Sequence, residues 1–348
     1  MGDGYLCHAY VNEPACVFPQ IMQDSAILLT THLSTVPAYL YTNNTAMGFV
    51  YKLIIGCVFM LPGTAMSQVP DFSKVPNLYE NDSLSIVYLV QHGIPITKKK
   101  VICWFPADSL TAQKMNQIAD TINAGVTSAE KFIHAPLPWQ VHRFDEPYVF
   151  YFRPDSFISH ASLAGFVSIP FWRIKNGKAP WLHEAMHEML NTKTGIWEDT
   201  TIVSDEDWKK NMPLWLFEGL PDYISLEVSR EDHSYWFDVF SNSASMNIDS
   251  MFRENMNEKN GKASYILSHI GGKGVMTELS SKDRRLYAPG FYHGSCSFVQ
   301  YIAEHYGINV LLYGISSFQK EQETIENLCG KPLADLKKEW LNKLGIPE

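Results

Sequence analysis

The sequence predicts an α+β chain, with a small mixed α/β half at about 96–190 and a mostly helical half at about 213–348. Three observations lead there. Short runs of β-forming residues cluster before residue 175, and apolar residues recur at helical spacing after residue 213. Between them lies His183-Glu184-Ala185-Met186-His187, inside the run APWLHEAMHEML.

Residues 1–46 are rich in Thr, Ala and Tyr without a clear period, and are set aside as a doubtful N-terminal extension. Residues 47–67 then give a lysine, an apolar run over 53–61, a Pro-Gly break and Ala65-Met66-Ser67. That is the order of a secretory signal with a small-residue cleavage site, so the mature chain is expected to begin near Gln68 and to be exported. The run is short for a bilayer; an uncleaved membrane anchor and a buried core helix are the alternatives. Residues 68–95, dotted with Pro, Asn and Asp, suit a linker or an irregular first strand.

The ordered half starts at about 96. Val101-Ile102-Cys103-Trp104-Phe105 is a compact β-forming run ended by Pro106, and reads as a buried strand. Leu110, Met115, Ile118, Ile122 and Val126 then approximate helical spacing as far as about Phe132, with Asp108 or Ser109 as N-cap. Tyr148 to Phe152 reads as a second strand, and Phe166 to Ile174 as a third, closed by a turn at Asn176-Gly177-Lys178. Pro180 suits the first turn of the next helix, where its missing N–H would be unpaired anyway. Further helical patterns cover 213–228, 294–306 and 333–344, while Gly271-Gly272-Lys273-Gly274 reads as a turn.

With 46% hydrophobic residues the chain can bury a large core, and its formal charge of −9 argues against a nucleic-acid partner. Lys98-Lys99-Lys100 is too short for a phosphate-binding stripe and reads as a solvated strand edge. Of six cysteines, Cys103, Cys296 and Cys329 lie beyond the signal. Three widely spaced thiols make no disulfide framework, and buried free thiols are the simpler expectation.

On a helix, His183 and His187 lie one turn apart on the same face and can close on one zinc ion. Glu218, in Trp215-Leu216-Phe217-Glu218-Gly219, is a third ligand of suitable type. Two imidazoles and a carboxylate leave the fourth zinc position open, as catalytic sites do. Glu184, between the histidines, is expected to act as general base rather than ligand. Asp222, four residues after Glu218, could accept the other ring N–H of a ligand histidine; a carboxylate placed for the helix dipole is the alternative. Glu188 and Asn191 read as ordinary flank residues, and the acidic stretch 192–212 as a solvated connection or a cleft border. His134, His142 and His160 carry no ligand spacing, and Trp181 and Trp215 read as core.

HEAMH followed by WLFEG resembles the gluzincin zinc metallopeptidases, a clan that includes thermolysin-like and aminopeptidase-like enzymes. The segment from Tyr292 through Tyr306-Gly307 resembles a helix that such domains carry after the metal site. The resemblance implies a gluzincin-like fold over 96–348, zinc-dependent hydrolysis of a peptide or protein, and a hydrogen bond from Tyr292 to the oxyanion. In that pattern Tyr292 opens its helix; Tyr287, placed outside the helix, and His293 are rival donors. Three features depart from the clan: 30 residues intervene between His187 and Glu218, Pro221 stands where a small residue often follows the Glu-Gly, and no Gly-x-Met-x-Asn exopeptidase signature is present, which argues against an aminopeptidase. The other functions compatible with the sequence are a non-proteolytic binding protein on the same fold, or a zinc hydrolase of a non-peptide amide.

Overall fold

A computed structural model describes residues 78–133, 147–154, 159–162, 166–177, 179–194, 213–231, 247–256, 262–273, 281–317 and 320–347. All of them belong to one compact unit. The signal-like segment 47–67 and the extension before it lie outside the described residues.

The first half is built on a five-stranded mixed sheet. Strands β1 (Ile94–Thr97) and β2 (Val101–Phe105) form an antiparallel hairpin around Lys98 to Lys100. Helix α2 (Ala112–Phe132) crosses over to β3 (Tyr148–Arg153), which runs parallel to β2. Strand β5 (Phe166–Pro170) adds in parallel to β3, and the short β4 (His160–Ser162) pairs antiparallel with β5 at the sheet edge. The spatial order is therefore β1-β2-β3-β5-β4. Alternation along β2 buries Val101, Cys103 and Phe105 on one face, where Met115, Ala119, Ile122 and Val126 of α2 complete the layer. The hairpin lysines are tied down: Lys98 reaches Asp120 at 2.7 Å and Lys100 reaches Glu130 at 2.9 Å.

The second half is helical. Helices α4 (Trp181–Thr194) and α5 (Leu214–Glu231) precede α6 (Ile248–Met256), α7 (Lys262–His269) and the long α8 (Ser281–Tyr306). Helices α9 (Ile308–Ser316), α10 (Glu321–Cys329) and α11 (Leu333–Leu344) close the chain. The packing of α5 on α8 is the most extensive helix pair. Trp340 of α11 packs between Phe252 of α6, on which it stacks, and Phe298 of α8, which is tilted against it.

Four expectations are corrected. The 68–95 segment contains a 15-residue helix, α1 (Leu78–His92), rather than only a linker or irregular strand. The cap of α2 is Thr111, whose hydroxyl accepts from the Lys114 amide, and not Asp108 or Ser109. The third strand stops at Pro170, and Phe171–Lys175 is a short helix, α3. Helix α8 begins at Ser281, well before Gly294, and continues through Pro289. Cys103 and Cys296 are buried free thiols and Cys329 is a half-buried one. No helix among the described residues is long and apolar enough to cross a membrane.

Candidate metal centre

Helix α4 is enclosed on nearly every side. Trp181, Leu182, Ala185, Met186, Met189 and Leu190 are all buried, against β4, β5, α2, α5 and α9. Its first turn is closed by the Pro180 carbonyl, which accepts from the Glu184 amide at 3.0 Å; Pro180 thus stands just before the helix. Within that apolar shell sit His183 and Glu184, at 7% and 5% exposure, with His187 beside them. Glu188 is also buried, at 4%, so it is not the exposed flank residue its position suggests. Ionisable groups are expensive to bury, and they persist inside only where partners or ligands compensate.

Helix α5 supplies the opposite wall. Pro213 offers its carbonyl to Leu216 and Phe217, and the helix carries on past Pro221, whose ring removes one backbone hydrogen bond to the Phe217 carbonyl. Gly219 is what lets this helix approach: a Cβ there would stand 2.7 Å from the Ser295 backbone of α8. The neighbouring Glu218 is thereby held over α4, 4% exposed, and Asp222 is completely buried one turn further on.

The ligand atoms converge. His183 Nε2 lies 2.9 Å from His187 Nε2, and each lies 3.5 Å from Glu218 Oε2. A triangle with these sides has a circumscribed radius of about 1.9 Å, so one ion at the ~2.0–2.1 Å of zinc bonds touches all three corners. The three residues form the one metal-capable cluster among the described residues. His183 Nδ1 meets Asp222 Oδ1 at 2.6 Å; with the carboxylate accepting from Nδ1–H, Nε2 is the nitrogen that faces the cluster and becomes a donor once a cation displaces its proton. The donor set therefore points electron density inward from three sides, and it fits a divalent cation.

Electrostatics follow from this enclosure. Burial opposes a charge on His183, but the Asp222 carboxylate outweighs it and holds the imidazole well above its usual value. Burial also pushes the Asp222 carboxyl up against the pull of His183, so the pair keeps one proton between them over a wide range. Glu218 would be raised by burial, yet its hydrogen bonds to His183 and His187 hold it far below the ordinary carboxylate range. Glu184 keeps its Oε2 buried and without a hydrogen-bond partner.

Tyr292 packs beside the site, its ring centroid 6.5 Å from that of His183. It sits in the interior of α8 rather than at its start, and burial pushes its phenol far up, so the hydroxyl stays protonated. The rival donors face elsewhere. His293 Nδ1 accepts from Asn255 of α6 at 3.0 Å, and Tyr287, which is inside α8 rather than outside it, packs on Tyr265 of α7 at 5.3 Å. His160 is buried on β4, while His134, His142 and 195–212 lie outside the described residues. Trp181 and Trp215 are core residues. What sequence reasoning missed is Gly219 as the contact point of α5 and α8; its place directly after the candidate ligand Glu218 was the available signal.

Comparison with protein-family models, curated proteins and solved structures returned no match to this chain.

Proposed function

We propose that this chain is a zinc-dependent peptide hydrolase of gluzincin type, exported through the segment at 47–67. The observation that carries the reading is the closure of His183, His187 and Glu218 on a single ion-sized point, with Asp222 behind His183. Zinc held by these three residues would supply Lewis acidity, lowering the pKa of a water and polarising a carbonyl.

The chain's own residues do the rest. Asp222 fixes the His183 tautomer and orients its ring. Glu184, with a buried carboxylate oxygen that has no other partner, takes a proton from the attacking water and passes it to the leaving amine. Tyr292, protonated at any working pH, donates to the oxyanion as the carbonyl carbon becomes tetrahedral. The apolar walls of α4 and α5 keep bulk water from these charges.

The test is incubation of purified protein with a mixed peptide pool, with and without a chelator, followed by mass spectrometry. Chelator-sensitive cleavage of internal peptide bonds is expected. A zinc-loaded protein that leaves the whole pool intact would remove peptides as substrates and turn attention to non-peptide amides or to binding without hydrolysis.

A further inference from the structure

Behind the metal ligands lies a second polar layer. Asp222 uses Oδ1 for His183, and its other oxygen, Oδ2, is buried without a hydrogen-bond partner. Two serine hydroxyls share that condition, Ser225 Oγ on α5 and Ser295 Oγ on α8, in residues exposed by 1% and 0%. This is unusual for a helical serine, which ordinarily returns its hydroxyl to a carbonyl one turn back. Ser229 does so, donating to the Ser225 carbonyl at 2.7 Å, and Ser297 instead finds Asp249 at 2.6 Å.

Their places in the fold bring the three atoms to one region. Ser225 follows Asp222 by three residues, on the same side of α5. Gly219 rests on the Ser295 backbone and on the Val299 side chain, which fixes where α5 crosses α8. Asp222 holds His183, and the His183 ring packs beside Tyr292. The turn of α5 after Gly219 therefore lies along the turn of α8 before Ser295, so that Asp222 borders the stretch from Tyr292 to Ser295.

We infer that Ser225 and Ser295 are positioning residues for the metal centre: their hydroxyls supply the second oxygen of Asp222 through one internal water. A buried water typically joins about three polar groups, and two hydroxyls and a carboxylate oxygen make such a set. The effect runs from the serines to Asp222, from Asp222 to the His183 ring, and from there to the ligand nitrogen. For its metal arm this rests on the zinc reading above; the arm on metal-free protein does not.

The experiment compares wild type, Ser225→Ala, Ser295→Ala and the double variant, each with Asp222 intact and as Asp222→Asn. Alanine is a strong helix former, so the fold is retained. In metal-free protein the ring N–H proton of His183, assigned by its loss in His183→Gln, is followed by NMR, with the His160 ring as control. It is expected to move in the double variant while His160 stays in place. Zinc affinity, measured by chelator competition, is expected to fall ~10-fold with Asp222 intact, at the low end for an outer-shell partner, and not to change in the Asp222→Asn background. An unmoved His183 proton overturns the inference, as does an equal loss of affinity in both backgrounds. A wild-type protein that binds no zinc would instead defeat the functional reading, leaving the NMR arm to judge the serines.

Discussion

Helix α4 gives His183, Glu184 and His187 to the site and α5 gives Glu218 and Asp222, and the histidines and the carboxylates of α5 are brought there by different physics. His183 and His187 are neighbours because of the helix itself, one turn apart on one face, and the sheet behind α4 only fixes where that face points. Glu218 and Asp222 are likewise a turn apart, but their distance from the histidines is set by tertiary packing, above all by Gly219 against Ser295. The nitrogen pair is thus a local property of the sequence and the carboxylate a property of the fold. Damage to α4 should strike chemistry and ligation at once, whereas damage to the α5–α8 contact should loosen the site by degrees.

The largest effect is expected from α4. His187→Ala should abolish both zinc retention and hydrolysis, while Glu184→Gln should keep zinc and lose ~10²–10⁴-fold in turnover, the usual contribution of a general base. Metal content and peptide kinetics on the two variants separate ligand from base. Near-native turnover in Glu184→Gln with zinc bound would remove Glu184 from the mechanism.

Next comes Tyr292→Phe, which deletes one hydroxyl inside α8. A loss of ~10²–10³-fold in kcat with KM nearly unchanged is expected for an oxyanion donor. Tyr287→Phe, whose ring is committed to Tyr265, should change kcat little. If Tyr292→Phe stays within about threefold of wild type, at odds with the usual loss of a positioned donor, Tyr292 is a packing residue.

A smaller change tests the α5 side. Gly219→Ala places a methyl group 2.7 Å from the Ser295 backbone, so the two helices must separate. A destabilisation of ~1–3 kcal/mol, as for other overpacked interiors, should accompany weaker zinc binding. Wild-type melting and affinity would show that α5 is not held by this contact.

The gentlest probe is pH. In metal-free protein His183 is raised above its ordinary value near 6.5, so the stability it contributes is complete below that pH and is lost as pH rises through the higher folded value. Glu218 is lowered from its ordinary 4.5, so its contribution is complete above that pH and lost only in strong acid. Asp222, raised from its ordinary 3.8, acts in the same direction as His183, so metal-free protein should weaken as pH rises above about 6.5, by up to ~1.4 kcal/mol per pH unit for each proton released. Zinc should flatten the upper limb by replacing that proton. A metal-free melting temperature that climbs from pH 6.5 to 8 would contradict the His183–Asp222 pairing.

The same contrast explains what was legible in the sequence. The histidine pair, the β2–α2–β3 order and helix α11 follow from short-range spacing, and they could be read directly. Helix α1 was hidden because the residues it buries from position 84 onward include Ser85 and Leu89, a serine and a leucine rather than an apolar stripe. Helix α3 carries Phe-Trp-Arg-Ile straight after a strand, and such a short apolar run has no period to separate helix from strand. The start of α8 was obscured by Pro289 and Gly290, which ordinarily signal a break. Here Gly290 and Gly294 instead let Ile266, Asn255, Ile270 and Phe252 of α6, α7 and the turn after it close on the helix, and that packing carries α8 through. Glu188 looked like a flank residue because the sequence does not reveal that α4 is enclosed on nearly every side.

The most direct test of the central claim is zinc stoichiometry, measured by elemental analysis after dialysis, for wild type and for Glu218→Ala. Glu218 is the informative choice because only the fold, and no local spacing, brings it to the histidines. One zinc per wild-type chain, lost in Glu218→Ala while the protein remains folded, is the predicted result. Zinc retained equally by both, or bound by neither, would contradict a centre made of His183, His187 and Glu218.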